Sequence, residues 1–302
     1  MAKLPSVSDL TSLSKEEVKA FFSNIDTVLV DCDGVLWFGK NPLPGSMEVI
    51  NRLKELGKKV FLVSNNATHT PEQYVKKCSM FGTKVDKNDI IIPSVVIGEY
   101  LKDQNFKGKA FVIGSQAMKQ TLTDLGIECI GDNDELQEES LIGFTDNLKS
   151  LDLNTEAVIL DFDLKLNYLK LVKAVVLLGQ SNSTYIIGAT DFNVPITPEI
   201  TIPGPGYFEN LLASVTKRKP IIAGKPSPVV AKVISKRHPL VPERTVMIGD
   251  AMTQDVLLGN NCGFHTILVL SGVSSLEDAT RYPDNKPTYY TSTLGDLLPL
   301  LQ

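Results

Sequence analysis

Positive charge is in short supply: 30 Lys and Arg stand against 35 Asp and Glu, a formal net charge of −5. A nucleic-acid or anionic-membrane surface needs clustered cations to displace counterions, so neither partner is expected. Cysteine is sparse as well. Cys32, Cys78, Cys129 and Cys262 form no CxxC pair and no Cys/His cluster, which argues against a zinc site and a disulfide framework. No stretch approaches the ~20 apolar residues of a membrane span. The opening MAKLPSVSDLTSLSKEEVKAFF lacks the apolar core of a signal peptide. A reducing cytoplasm is the expected location. There is no fixed-period repeat and no low-complexity tract.

What remains is an ordinary soluble composition, 43% hydrophobic and 22% charged over 302 residues, long enough for one large domain carrying a smaller inserted one. Ser14, followed by Glu16 and Glu17 with Val18, Phe21 and Phe22 behind, predicts a short amphipathic helix. From Thr27 the pattern alternates short apolar runs with helical periodicity. Thr27–Val30, a helix over Met47–Leu56 closed by Gly57, and Val60–Val63 form a βαβ beginning. Continuous apolar strands of this kind are buried on both faces, which points to an α/β fold with a parallel sheet between helices. Pro220–Ala223, a helix over Pro228–Lys236, Thr245–Ile248 and His265–Val269 are expected to complete that sheet. Between them, Ala110–Ile113, Ala157–Leu160 and a helix over Tyr168–Leu178 supply separate βα units. The predicted division is a discontinuous core, 1–83 with 215–302, and an inserted α/β domain, 84–214.

Active sites of parallel sheets lie at the carboxyl ends of the strands, so the residues after each strand carry the argument. Asp31-Cys32-Asp33-Gly34 follows the first strand and sets two carboxylates two residues apart. One carboxylate can attack while the other moves a proton, and a hard cation such as magnesium relieves their repulsion. Taken alone, DxDG is as readily a turn. Ser64-Asn65-Asn66-Ala67 offers donors able to hold a phosphate at a strand-to-helix junction, and these are also ordinary helix-cap residues. Lys225, in Gly224-Lys225-Pro226, can supply a compact positive charge to a phosphoryl oxygen, although most loop lysines are merely solvated. Asp250 follows Ile248-Gly249 and is positioned to finish a metal site. Asp255, five residues on, fits equally a helix-start acid or a support for that site.

DCDGVLW, VSNNAT, AGKPSP and IGDAMTQD together resemble the four motifs of haloacid-dehalogenase phosphatases, in particular the phosphoglycolate/4-nitrophenyl phosphatase branch. The resemblance runs along nearly the whole chain and implies a Rossmann-like core with a large inserted α/β cap. It implies a magnesium-dependent phosphatase acting on a small phosphorylated metabolite, 2-phosphoglycolate-like or 4-nitrophenyl phosphate. Asp31 would be the nucleophile forming a phosphoaspartyl intermediate, and Asp33 the acid and base. Ser64, Asn65, Asn66 and Lys225 would bind the phosphoryl group. Asp31, the backbone carbonyl of Asp33, and Asp250 would hold Mg2+. Homodimerisation through the cap is common in that branch.

Departures from the family pattern set an alternative beside this reading. Ala251, Met252, Thr253 and Gln254 stand where relatives carry more polar residues, and Asn193 replaces an acid in Thr190-Asp191-Phe192-Asn193. Such changes are compatible with a weakened member that binds a phosphometabolite or a protein partner. The inserted segment contains no arginine to clamp a substrate carboxylate. Cys32, alternating with the two acids, is expected to turn into the core, and Trp37 and Phe38 to pack near the hinge of the inserted domain, where an aromatic could also line the pocket entrance.

Overall fold

The structure is a computed structural model that describes residues 7–131, 140–195, 199–282 and 284–302. Contacts divide the chain into two compact units. The first takes the chain up to Ser64, Pro71–Ile91 and Lys225–Gln302; the second takes Asn65–Thr70 and Ile92–Gly224. Among the described residues no helix is long and apolar enough to cross a membrane.

The first unit is built on a seven-stranded sheet in the order Ser8–Asp9, Tyr289–Thr291, His265–Val269, Thr245–Gly249, Thr27–Val30, Lys59–Val63, Ile90–Ile91, with every pairing parallel. Thr27–Val30 and Thr245–Gly249 are buried at every position, as strands covered on both faces must be. Helices at Lys15–Asn24, Ser46–Glu55, Pro71–Met80 and Val229–Arg237 belong to this unit. The first is capped as its sequence predicts. Ser14 Oγ receives the Glu17 N–H while the Glu17 carboxylate receives the Ser14 N–H, so two orphan donors at the helix start are satisfied reciprocally.

The second unit carries its own five-stranded parallel sheet in the order Ile221–Ile222, Thr184–Ile187, Thr155–Leu160, Lys109–Ile113, Glu128–Ile130. Phe111, Val158, Leu160, Tyr185 and Ile187 from its strands pack with Leu177 of helix Tyr168–Leu178 and Leu212 of helix Pro205–Thr216. This is a core independent of the first. The resulting architecture is an α/β Rossmann-like domain with an inserted α/β domain.

One strand assignment is corrected. Pro220–Ala223 was expected to extend the first sheet, but Ile221 and Ile222 pair with Ile186 and Ile187, and the Ala223 N–H donates to the Ile187 carbonyl at 2.8 Å. A short apolar run records that it is buried but not which of two parallel sheets buries it. The second unit therefore returns the chain at 224/225, where the sequence pattern suggested 214/215. It leaves at 91/92 where the pattern suggested 83/84.

Candidate active site

Thr27–Val30 is flanked by Thr245–Gly249 on one side, with Ile248 opposite Val30, and by Lys59–Val63 on the other, with Leu62 opposite Val30. Parallel pairing aligns the three carboxyl ends. Asp31, Asp250 and Ser64 each follow the end of one of these neighbouring strands. The Asp31 N–H donates to the Ile248 carbonyl at 2.9 Å, and the Ser64 N–H to Ile91 at 3.0 Å, so the ladder extends into the site.

Asp31, Asp250 and Asp255 are all buried, and ligand atoms from the three lie within 4.8 Å of one another. Among the described residues, Lys225 is the cation paired with this cluster. Lys225, 1% exposed, places Nζ 2.7 Å from Asp31 Oδ1 and 2.7 Å from Asp255 Oδ1. Burial raises the Asp31 carboxyl well above the ordinary range, Lys225 opposes that rise, and the Asp255 and Asp250 charges add to it. Burial likewise pushes Asp250 up to about 6, reinforced by Asp255. For Lys225 burial works against the charge, but Asp255 and Asp31 outweigh it and hold the ammonium above the usual lysine range. Three carboxylates around one ammonium leave an excess of negative charge that a divalent cation would offset.

Asp250 is enclosed by backbone. Its Oδ2 receives the Val273 N–H at 2.8 Å. A Cβ on Gly34 would lie 2.4 Å from that oxygen, and one on Gly272 would lie 1.7 Å from it. Gly34 also holds φ +82, a backbone conformation that L side chains rarely adopt. The Ser271 hydroxyl donates to the Gly34 carbonyl at 2.7 Å, joining the loop after the first strand to the loop after His265–Val269. An oxygen-rich pocket bounded by glycines suits a small hard cation.

Asp33 leaves the line of the strand. The Cys32 carbonyl receives the N–H groups of Val35, Leu36 and Trp37, folding the chain back so that the Trp37 indole donates to Asp33 Oδ1 at 3.0 Å. Cys32 turns inward and is fully buried, and burial raises its thiol well above the ordinary range, which keeps it protonated. Trp37 is equally buried, while Phe38 is half exposed. Ser64 is buried and receives a hydrogen bond from the Tyr74 hydroxyl at 3.3 Å. Asn65 and Asn66 group with the second unit, where the Asn66 amide oxygen receives the Thr68 N–H and hydroxyl. A Cβ on Gly224 would come within 2.6 Å of Asn65 Oδ1.

The sequence leaves Asp255 between two roles, a helix-start acid and a support for the site, and the structure shows contacts of both kinds. Asp255 lies in a single π-helical turn, Met252–Val256, fully buried, bonded to Lys225 and to the Ala251 N–H at 3.0 Å. An acid five residues beyond Asp250, on the turn leaving the same strand, was the available signal. The apolar residues before it have structural employment. Met252 packs with Val256, Leu268 and Ala279, its N–H donates to Ser274 Oγ at 3.0 Å, and its carbonyl receives Asn285 Nδ2 at 2.7 Å. Ser274 and Asn285 thus supply polar support from elsewhere in the chain. Lys225 arrives from a strand of the second sheet rather than of the first, yet reaches the expected partner.

Comparison with known proteins identifies the family. Residues 28–128 match the haloacid dehalogenase-like hydrolase family, and residues 222–297 match the HAD-hydrolase-like family. The chain is 33% identical to mouse glycerol-3-phosphate phosphatase over 96% of its own length and 95% of that protein. To phosphoglycolate phosphatase 2 of Arabidopsis thaliana it is 31% identical, covering 96% and 98%. The 4-nitrophenylphosphatase of Thermotoga maritima superposes with a TM-score of 0.79 at 30% identity, covering 93% of this chain and 99% of that one. The chain belongs to the haloacid dehalogenase-like hydrolase family, and within it is an enzyme of the phosphatase class.

Proposed function

We propose that the protein is a magnesium-dependent phosphatase of small phosphate monoesters that works through a phosphoaspartate on Asp31. The observation that carries the reading is the Lys225 ammonium held 2.7 Å from Asp31 at the carboxyl edge of the sheet, with Asp250 and Asp255 gathered around it. The carboxylates of Asp31 and Asp250 and the backbone carbonyl of Asp33 are the proposed ligands of Mg2+. When bound, the ion supplies charge neutralisation that lets an anionic nucleophile approach an anionic phosphoryl group. Asp255 holds Lys225, and Lys225 holds Asp31 in place. Ser64, and the two amides that follow it in sequence, Asn65 and Asn66, are the proposed donors to phosphoryl oxygens.

An Asp31 carboxylate oxygen attacks phosphorus, and the ester P–O bond breaks. The departing oxygen takes the bond pair and the Asp33 proton, leaving an alcohol, an acyl phosphate and the Asp33 carboxylate. Water then gives its proton to Asp33 as its oxygen attacks phosphorus. The P–O bond to Asp31 breaks with its pair returning to the carboxylate, and inorganic phosphate leaves.

Similarity to glycerol-3-phosphate, phosphoglycolate and 4-nitrophenyl phosphatases supports the small-ester class without separating its members. Arg218 is the one arginine in the second unit, and it is engaged. Its guanidinium donates to the carbonyls of Leu178, Gln180 and Ser183 at 3.1, 3.2 and 2.6 Å, so it clamps a loop. The test is phosphate release from glycerol 3-phosphate, 2-phosphoglycolate and 4-nitrophenyl phosphate, with and without Mg2+, by wild type and Asp31→Asn. Magnesium-dependent release lost in the variant is the expected result. Release equal in the two proteins would remove Asp31 as nucleophile, and no release from any ester would leave a phosphometabolite-binding role.

A further inference from the structure

We infer that Trp37 and Lys77 are positioning residues that set the orientation of the Asp33 carboxyl for proton transfer to the leaving alcohol. The inference rests on the reading of Asp33 as the acid of the phosphatase reaction. Trp37 is the only tryptophan of the chain, and no apolar-packing argument accounts for its indole nitrogen. The backbone loop explains how it arrives. Three N–H groups converge on the Cys32 carbonyl, and the Gly34 N–H donates to the Trp37 carbonyl at 2.9 Å, which folds residue 37 back beside residue 33.

The indole is fully buried and donates to Asp33 Oδ1 at 3.0 Å. Its ring is held on one helix, Pro71–Met80, and the turn that follows, with Tyr74 and Phe81 each 6.1 Å away between ring centroids. From the same helix the Lys77 ammonium sits 3.9 Å from the indole centroid. Burial lowers the Lys77 pKa from its ordinary value, and Asp33 opposes that loss. A cation on the face of an indole draws density from the ring and makes its N–H a better donor. The three groups therefore form a chain, from Lys77 through the Trp37 ring to Asp33.

A carboxyl on an sp3–sp2 torsion turns in a broad, two-fold well. An indole N–H on Oδ1 restrains that turn and fixes the direction in which the carboxyl is presented. In the first half-reaction the acid delivers a proton to the leaving oxygen as the ester P–O bond breaks and the bond pair moves onto that oxygen. Misdirecting it matters most when the leaving group is a poor one. A 4-nitrophenolate departs readily without protonation, whereas an alkoxide does not.

The experiment compares kcat/KM, which reports the steps through loss of the leaving group, for 4-nitrophenyl phosphate and glycerol 3-phosphate. Wild type, Trp37→Phe, Lys77→Met and Asp33→Asn are measured with saturating Mg2+. Trp37→Phe keeps an aromatic ring under Lys77 and removes the donor. General acid catalysis contributes roughly 10²–10⁴-fold. The aryl-to-alkyl ratio of kcat/KM is accordingly expected to rise about 10–100-fold in Trp37→Phe, less in Lys77→Met and most in Asp33→Asn. Lys77→Met retains the single tryptophan, and its altered emission relative to wild type reads the lost cation without reference to activity.

An unchanged ratio in Trp37→Phe and Lys77→Met, with the ratio raised in Asp33→Asn, would overturn the positioning role while leaving the phosphatase reading intact. Equal losses on both esters would reduce Trp37 to a packing residue. Should Trp37→Phe fail to fold, Lys77→Met, altered at a half-buried position, decides by the same ratio. Absence of turnover in wild type on either ester would instead overturn the underlying function.

Discussion

A buried carboxylate survives only with partners, and the residues of this protein divide by how that need is met. Asp163 in the second unit is paired with Lys170 at 2.7 Å, both nearly inaccessible. Asp161, two residues earlier and 3% exposed, has no such pairing. It receives the Phe162 N–H at 2.5 Å on one oxygen, while the other has no hydrogen-bond partner among the described residues. That second oxygen lies where a Cβ on Gly188 would be, 1.7 Å away. Burial pushes the Asp161 carboxyl up to about 7, the Phe162 N–H opposes this, and Asp191 adds to it. A carboxyl raised on folding binds its proton more tightly in the native state, so its contribution is full below about pH 4 and is lost as pH rises through about 7. The displacement from 3.8 to about 7 corresponds to at most about 4 kcal/mol. Asp161→Asn, neutral throughout, is expected to flatten the fall of thermal stability between about pH 5 and pH 8. A parallel fall in both proteins by calorimetry would mean that Asp161 finds a compensating partner.

Gly272 supplies a second test at this scale. A methyl group there would overlap Asp250 Oδ2. Gly272→Ala is expected to raise the Mg2+ concentration for half-maximal activity about 10–100-fold, because displacing a ligand's support weakens metal affinity by that order. A Mg2+ titration matching wild type would contradict the assignment of Asp250.

The elements explain which of these residues could be read in advance. DxDG, Ser64 and Asp250 follow apolar strands directly, so periodicity placed them at carboxyl ends, and parallel pairing does the rest. Lys225 was found by its motif, although its preceding strand lies in the other sheet, because two isoleucines carry no mark of their neighbour. The sequence leaves Asp255 between a helix-start acid and a support for the site, and gives no sign of the Trp37 indole's bond to Asp33. Both depend on backbone turns, the π-helical turn at Met252–Val256 and the loop around the Cys32 carbonyl, whose hydrogen bonds span only three to five residues and follow no helix or strand periodicity. Arg218 is another such case. It ties the connection between helix Tyr168–Leu178 and strand Thr184–Ile187 through three carbonyls. Arg218→Ala is expected to cost about 2–4 kcal/mol of stability, since it leaves those carbonyls to be satisfied again. A melting temperature unchanged from wild type would show that solvent replaces them.

Across the whole molecule, the clustered carboxylates and Lys225 belong to the first unit, while the second is a separately folded α/β body with its own hydrophobic core. The substitutions at 251–254 do not strip the site of support, because Ser274 and Asn285 bond the Met252 backbone and Asp255 bonds Lys225. The core of the proposed reaction is covalent transfer to Asp31. The direct measurement is rapid acid quench after mixing the enzyme with a radiolabelled phosphate ester and Mg2+, followed by peptide mapping of the label. Protein-bound phosphate on the peptide containing Asp31, formed within the first turnover and absent from Asp31→Asn, is the predicted result. Turnover by wild type with no label on that peptide at any quench time would contradict the account.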